Sequence, residues 1–151
     1  MIKCIPLLFV LLFSTDLTAQ LPDYRRIANA SDLHYAKPVN RSEDGMPTGN
    51  GRMGSLVWTR ASALKFQLNR VDVFGNNSSS HNFFERHTDY CNGTGAVSID
   101  FGTELFTNGG FSQHLDCYDA TVQVKGSGVE ASIFTSAAGN YCFGNARAVS
   151  V

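Results

Sequence analysis

A cluster of turn formers feeding two apolar runs of period two constrains this 151-residue chain more than any other feature. The stretch EDGMPTGNGRMGSLVWTRASALKFQLNRVDVF, residues 43–74, opens with Asp44-Gly45, Pro47 and Gly49-Asn50-Gly51, which predicts a tight, specific loop. In residues 52–60, Leu56 and Trp58 fall on one side and Met53 and Val57 on the other, so a strand buried on both faces is expected. Leu64, Phe66 and Leu68 then alternate with Lys65, Gln67 and Asn69, the pattern of a half-buried strand. At Asn69-Arg70 the phase slips by one, because Val71 and Val73 continue the apolar set at odd positions; a β-bulge or bend is predicted there.

Upstream, residues 1–19 read as a secretory signal peptide. Lys3 gives the positive start, residues 5–13 an almost unbroken apolar run, and Ala19 the small residue at the exit. The run is shorter than the roughly 20 residues needed to span a bilayer. The mature chain is expected to begin at Gln20, to carry no membrane segment and to be secreted or periplasmic. Residues 20–45 read as an extended lead-in, with at most a helical turn over 32–35, and residues 46–151 as the domain proper.

Residues 75–95 are polar and irregular, long enough to predict a partly ordered excursion in which Phe83, Phe84 and Tyr90 need packing. Four more strands follow at short intervals, with Val97, Ile99 and Phe101 on one face, then Phe111, Gln113, Leu115 and Cys117, then Ala120, Val122 and Val124, then Val129, Ala131 and Ile133. Gly109-Gly110 and Gly126-Ser127-Gly128 supply hairpin turns with positive φ. No segment sustains a helical period, so the expected fold is all-β, an antiparallel β-sandwich. Tyr141-Cys142-Phe143 begins a further apolar run close to Val151, so the domain is expected to be incomplete, a fragment whose last strand continues into more protein.

The formal charge of −1, with no basic run, speaks against nucleic acid or an anionic membrane as partner. After export Cys91, Cys117 and Cys142 remain; an odd number, without metal-type spacing, reads as small buried residues or one incidental bridge. Residues 49–54 fit GxGxxG literally, but a proline-containing turn precedes them and a strand follows, where dinucleotide binding needs a strand before and a helix after. His81, Glu85 and His87 lack the HExxH spacing of a zinc protease helix, and no GxSxG elbow occurs. Asp44, Asp72, Glu85, Asp89 and Asp100 are read as solvated or turn carboxylates. Aromatic platforms for a glycan are limited to Tyr90, Tyr118 and Phe134. No catalytic residue, metal ligand or cofactor is therefore assigned.

The segments MPTGNGRMGSLVW and ALKFQLNRVDVF resemble the opening of the N-terminal domain of family-95 glycoside hydrolases, the α-L-fucosidases. They resemble more closely the N-terminal domain of the domain-of-unknown-function family 5703; RHTDYC, VSIDFG and FSQHLDCYDATVQVKGSGV extend that likeness over residues 35–134. The resemblance implies a β-sandwich placed ahead of an (α/α) helical barrel that carries the catalytic carboxylates. The matching positions, Gly49, Asn50, Gly51, Arg52, Gly54, Gln67, Leu68 and Asn69, are structural or interface positions in that family. Arg70-Val71-Asp72 stands where the fucosidases have an acidic pair, which departs from their specificity.

The function expected on these grounds is that of a non-catalytic N-terminal β-sandwich of an exported, glycoside-hydrolase-like bacterial protein acting on carbohydrate. Asn50, Arg52, Asn69 and Asp72 are its candidate interface residues, and its partner is a C-terminal helical catalytic domain or carbohydrate itself. Two rival expectations stand beside it: a stand-alone secreted carbohydrate-binding module, and a small secreted enzyme using His81, Glu85 and His87.

Overall fold

A computed structural model describes residues 21–75, 90–107, 109–139 and 141–148. Among them a short helix, α1 (Tyr24–Asn29), precedes nine strands: β1 (Leu33–Tyr35), β2 (Met46–Gly49), β3 (Met53–Arg60), β4 (Ala63–Gly75), β5 (Tyr90–Asp100), β6 (Ser112–Asp116), β7 (Thr121–Gly126), β8 (Val129–Thr135) and β9 (Cys142–Ala148). One sheet has the order β1-β6-β7-β8-β9 and the other β2-β3-β4-β5, all neighbours antiparallel. The expected all-β sandwich is what the chain forms.

Alternation explains which faces meet, since successive side chains of a strand point to opposite sides. Met46, Val57, Leu64 and Phe66 from the four-stranded sheet pack against Leu115, Val122, Val124, Val129, Ala131 and Ile133 from the five-stranded one. Gln113 sits with Phe111 and Leu115 on the inner face, as the alternation predicts, and is fully buried. It is tolerated there because its Nε2 donates to the Val57 carbonyl at 2.9 Å, a bond that crosses the core. The connection between β5 and β6 closes one end. Phe106, 1% exposed, lies edge-on to Phe101 and Phe111, and its N–H donates to the Ala61 carbonyl.

Several expectations are corrected. The lead-in is not simply extended: residues 24–29 are helical, capped by the Asp23 carboxylate on the Arg26 N–H, while residues 33–35 are an edge strand rather than a helical turn. Helix α1 buries no residue and is tethered by Arg25, which pairs with Asp119 at 3.2 Å and lies 4.3 Å over the Tyr118 ring. Strand β3 is buried on one face only, because among the described residues no layer covers the outer face of its sheet; Leu56 and Trp58 are half-buried beside Gln67 and Lys65. Ala120 belongs to the β6–β7 turn, at φ 50°, and not to the strand face assigned to it. The polar excursion is shorter than residues 75–95, since β4 runs to Gly75 and β5 starts at Tyr90. Residues 76–89, including His81, Glu85 and His87, lie outside the described residues, as do residues 1–19, where a signal peptide is expected.

The predicted phase slip is present. Leu68 faces Gly95, Asn69 faces Gly93 and Phe74 faces Cys91, so Thr94 is extra on β5 and four residues of β4 then oppose one. The slip carries Val71 to the surface, 58% exposed, and turns Arg70 and Asp72 toward the glycine turn. Strand β5 also lies beyond the cover of the opposing sheet. Val97 and Ile99 share the inner face with Phe66 and Leu64, their cross-strand partners, yet remain 44% and 42% exposed. They border an open cleft of about 170 Å³ whose other wall is Cys142 and Gly144 of β9.

Candidate functional site

The glycine turn between β2 and β3 is built around Asn50. Gly49 pairs with Gly54, and Gly51, at φ 83°, takes the left-handed conformation that a side chain would resist. The Asn50 Oδ1 accepts from the N–H groups of Arg52 at 2.9 Å and Met53 at 2.7 Å, which closes the turn. Its Nδ2 donates to the carbonyls of Ser136 at 2.8 Å and Gly139 at 3.0 Å, in the connection between β8 and β9. The Thr48 and Thr135 hydroxyls meet at 2.8 Å alongside. Asn50 is thus a strut from one sheet to the other, and its polar atoms are committed to that task.

Arg52 and Asn69, in contrast, line an open groove of about 630 Å³ with Gly49, Gly54, Gln67 and Arg70. Three of its walls are explained by local sequence. The glycines keep the turn low, the alternation of β4 points Gln67 and Asn69 outward, and the bulge delivers Arg70. Asp72 lies at the rim, gripped by Arg70 through Nε–Oδ1 at 2.9 Å and Nη2–Oδ2 at 2.7 Å, with the Arg52 Nη2 at 3.5 Å. The hydrogen bonds from Arg70 hold the Asp72 carboxyl down at about 2, and the same contact raises the Arg70 guanidinium. Among the described residues lining the groove there is no carboxylate. The groove offers two side-chain amides, exposed backbone and the Arg52 guanidinium, groups suited to hydroxyl or carbonyl partners rather than to proton transfer.

Two further constellations escaped the sequence. Across the outer face of the five-stranded sheet the register lines up His34, His114, Gln123, Ser132 and Asn145 in one row. At one side of that row Phe134 stacks on Phe143 with centroids 5.4 Å apart, and Tyr141 meets Phe143 edge-on at 5.1 Å; all three are about half exposed. Of these the sequence points only to Phe134 as an aromatic platform; Tyr141 and Phe143 read there as the start of an apolar run. At the other end the His114 Nε2 lies 3.1 Å from the Asp32 Oδ2, and the His34 and His114 rings stack at 4.2 Å. Their separation in sequence, 82 positions between Asp32 and His114, hid this group. The only local signal is that Asp32 and His34 are two apart, hence on one side if the segment is a strand.

Cys117 and Cys142 are free thiols, each half-buried, so these two do not form the incidental bridge allowed above. Burial, with Asp32 second, pushes the Cys117 thiol up, away from the reactive thiolate.

The fold defines an all-β protein of two packed antiparallel sheets, with an open groove at a glycine turn. Residues 34–140 match the profile of the N-terminal part of a domain of unknown function, DUF5703, and the chain belongs to that family. No curated protein matches the chain.

Proposed function

We propose that this chain is a non-catalytic β-sandwich domain of an exported, glycoside-hydrolase-like protein acting on carbohydrate, and that its role is to support a helical catalytic domain through the glycine-turn groove. The observation that carries the reading is the composition of that groove. Gly49, Gly51, Arg52, Gly54, Gln67 and Asn69, six of the positions of the family-95 resemblance, converge on one surface whose described lining contains no carboxylate. Hydrolysis of a glycosidic bond by the usual route takes two carboxyl groups about 5–9.5 Å apart. Asp72, at the rim of the groove, is locked by Arg70. Donors and acceptors without an acid–base pair suit docking, and the half-exposed inner residues Val97 and Ile99 add an apolar surface for a neighbour.

The gene beyond the codon for Val151 tests this directly: a helical-barrel domain is expected to follow, and its absence would sink the proposal. Export is tested by N-terminal sequencing of the processed protein, expected to start at Gln20.

A second reading, a carbohydrate-binding module, is favoured by the outer face of the five-stranded sheet. Its row of amide, hydroxyl and imidazole groups beside the Phe134–Phe143–Tyr141 cluster combines hydrogen bonding with ring stacking. Glycan-array binding lost on Phe143→Ala, with folding intact, would support it; an array with no retained glycan excludes it.

A further inference from the structure

We infer that Asp32, His34 and His114 form a binding site for a late divalent transition ion, with zinc the best match to an N₂O donor set. One ligand atom from each residue lies within 4.8 Å of the other two. The arrangement follows from the fold. His34 and His114 are direct cross-strand partners in the β1–β6 pair, which sets their β-carbons about 5 Å apart on one face. Asp32 precedes β1 by one residue, and the period of two turns it to the same side as His34.

The three groups differ in freedom in a way that suits metal capture. Asp32 is the fixed member: its side chain is 10% exposed and its Oδ1 accepts the Cys117 N–H at 2.8 Å, leaving Oδ2 directed at His114. A hydrogen bond to the far oxygen is the support that metal-binding carboxylates typically receive. His34, exposed on an edge strand, is the free member. Tetrahedral zinc, with bonds near 2.1 Å, wants its ligand atoms about 3.4 Å apart, so the widest present separation must close by about 1.4 Å. Rotation of the His34 ring off its stack supplies a movement of that size. Lys125, which borders the adjoining groove of about 400 Å³, is engaged by Glu130 at 3.1 Å. Three protein ligands leave a coordination position for water or a donor in that groove.

The test is zinc titration by calorimetry on the full chain expressed without a polyhistidine tag, with cobalt substitution read by visible absorption. One equivalent with Kd of about 10 µM or tighter is expected, and His34→Ala or His114→Ala should weaken it at least about tenfold. The double variant His81→Ala, His87→Ala separates this site from the other histidine pair and should bind as the wild type does. His34 is exposed, so its variant should keep the wild-type circular dichroism. Absence of one-equivalent binding, or binding abolished by the His81/His87 variant and untouched by His34→Ala, overturns the assignment.

Discussion

Asn50 offers the sharpest test of how the glycine turn is held, because its two ends do different work. Oδ1 closes the turn on the N–H groups of Arg52 and Met53, whereas Nδ2 crosses to the carbonyls of Ser136 and Gly139. Four hydrogen bonds at a net value of about 0.5–1.5 kcal/mol each, taken at the low end for a half-buried side chain, put the cost of Asn50→Ala near ~2–3 kcal/mol. Asn50→Asp separates the two halves. It keeps both acceptor bonds but sets a carboxylate oxygen against two carbonyl oxygens at the present spacings of 2.8 and 3.0 Å. If the strut matters, the aspartate variant should be at least as destabilised as the alanine one, by about 2–3 kcal/mol. For a domain of this size that is a fall in Tm of about 10 °C.

Urea unfolding of the three proteins at pH 7, with matched m-values, measures the difference. An aspartate variant within about 0.5 kcal/mol of wild type would mean that only the turn-closing half contributes. The sheet-to-sheet strut would then be refuted.

Four other outcomes follow from particular contacts. Thr59 is wholly buried and its hydroxyl has no partner among the described residues, so Thr59→Val should stabilise by about 1 kcal/mol in the same assay. A Cβ at Gly126 would meet the Leu105 carbonyl oxygen at 2.5 Å and the Phe106 ring at 2.8 Å, both packed in place, so Gly126→Ala should cost roughly 1–3 kcal/mol. Asp72 is held at about 2 by Arg70, below its ordinary 3.8; its contribution is present above about 4 and lost as pH falls through about 2. Stability of Asp72→Asn should therefore lack the wild-type decline between those limits, and high salt should shrink the difference because both partners are partly exposed. Ile99→Thr, at a position 42% exposed, should cost clearly less than Ile133→Thr costs at a position with no exposure, measured on this chain alone.

Much of the fold was legible because strands with one covered face write their burial at every second residue. Leu64-Phe66-Leu68, Phe111-Gln113-Leu115 and Val129-Ala131-Ile133 all point as the alternation says, and the bulge after Asn69 announced itself as a slip of phase. What failed to show had local reasons. Strand β1 is three residues long and pairs along one side only, so its pattern is too short to read. The start of β5 is masked by Asn92, Gly93 and Gly95, residues that signal turns yet here accompany a second irregularity in the ladder. Phe106 sits in a connection with no period at all, although it is among the most deeply buried side chains of the chain. Two-sided apolarity in β3 suggested two layers; the outer residues are half-covered by neighbours on their own sheet instead.

The candidate sites divide along the same line. Gly49, Arg52, Gly54, Gln67 and Asn69 could be found from sequence because the groove they line is local, closed by one hairpin and the strand beside it. Asn50 looked like an interface residue for the same reason that it is a strut: an Asn between two glycines is placed to bond to something, and only the position of Ser136 and Gly139 shows what. The His34–His114 pair depends on strand order. A lead-in segment must cross to the far edge of the other sheet and adopt one particular register before the two rings meet. A shift of one residue in that register would turn His34 to the opposite face and dissolve the group. Chemistry carried by an edge strand is therefore conditional on the docking of the lead-in, which places the Arg25 tether of α1 and the Asp32–Cys117 hydrogen bond among the features that decide whether the site exists.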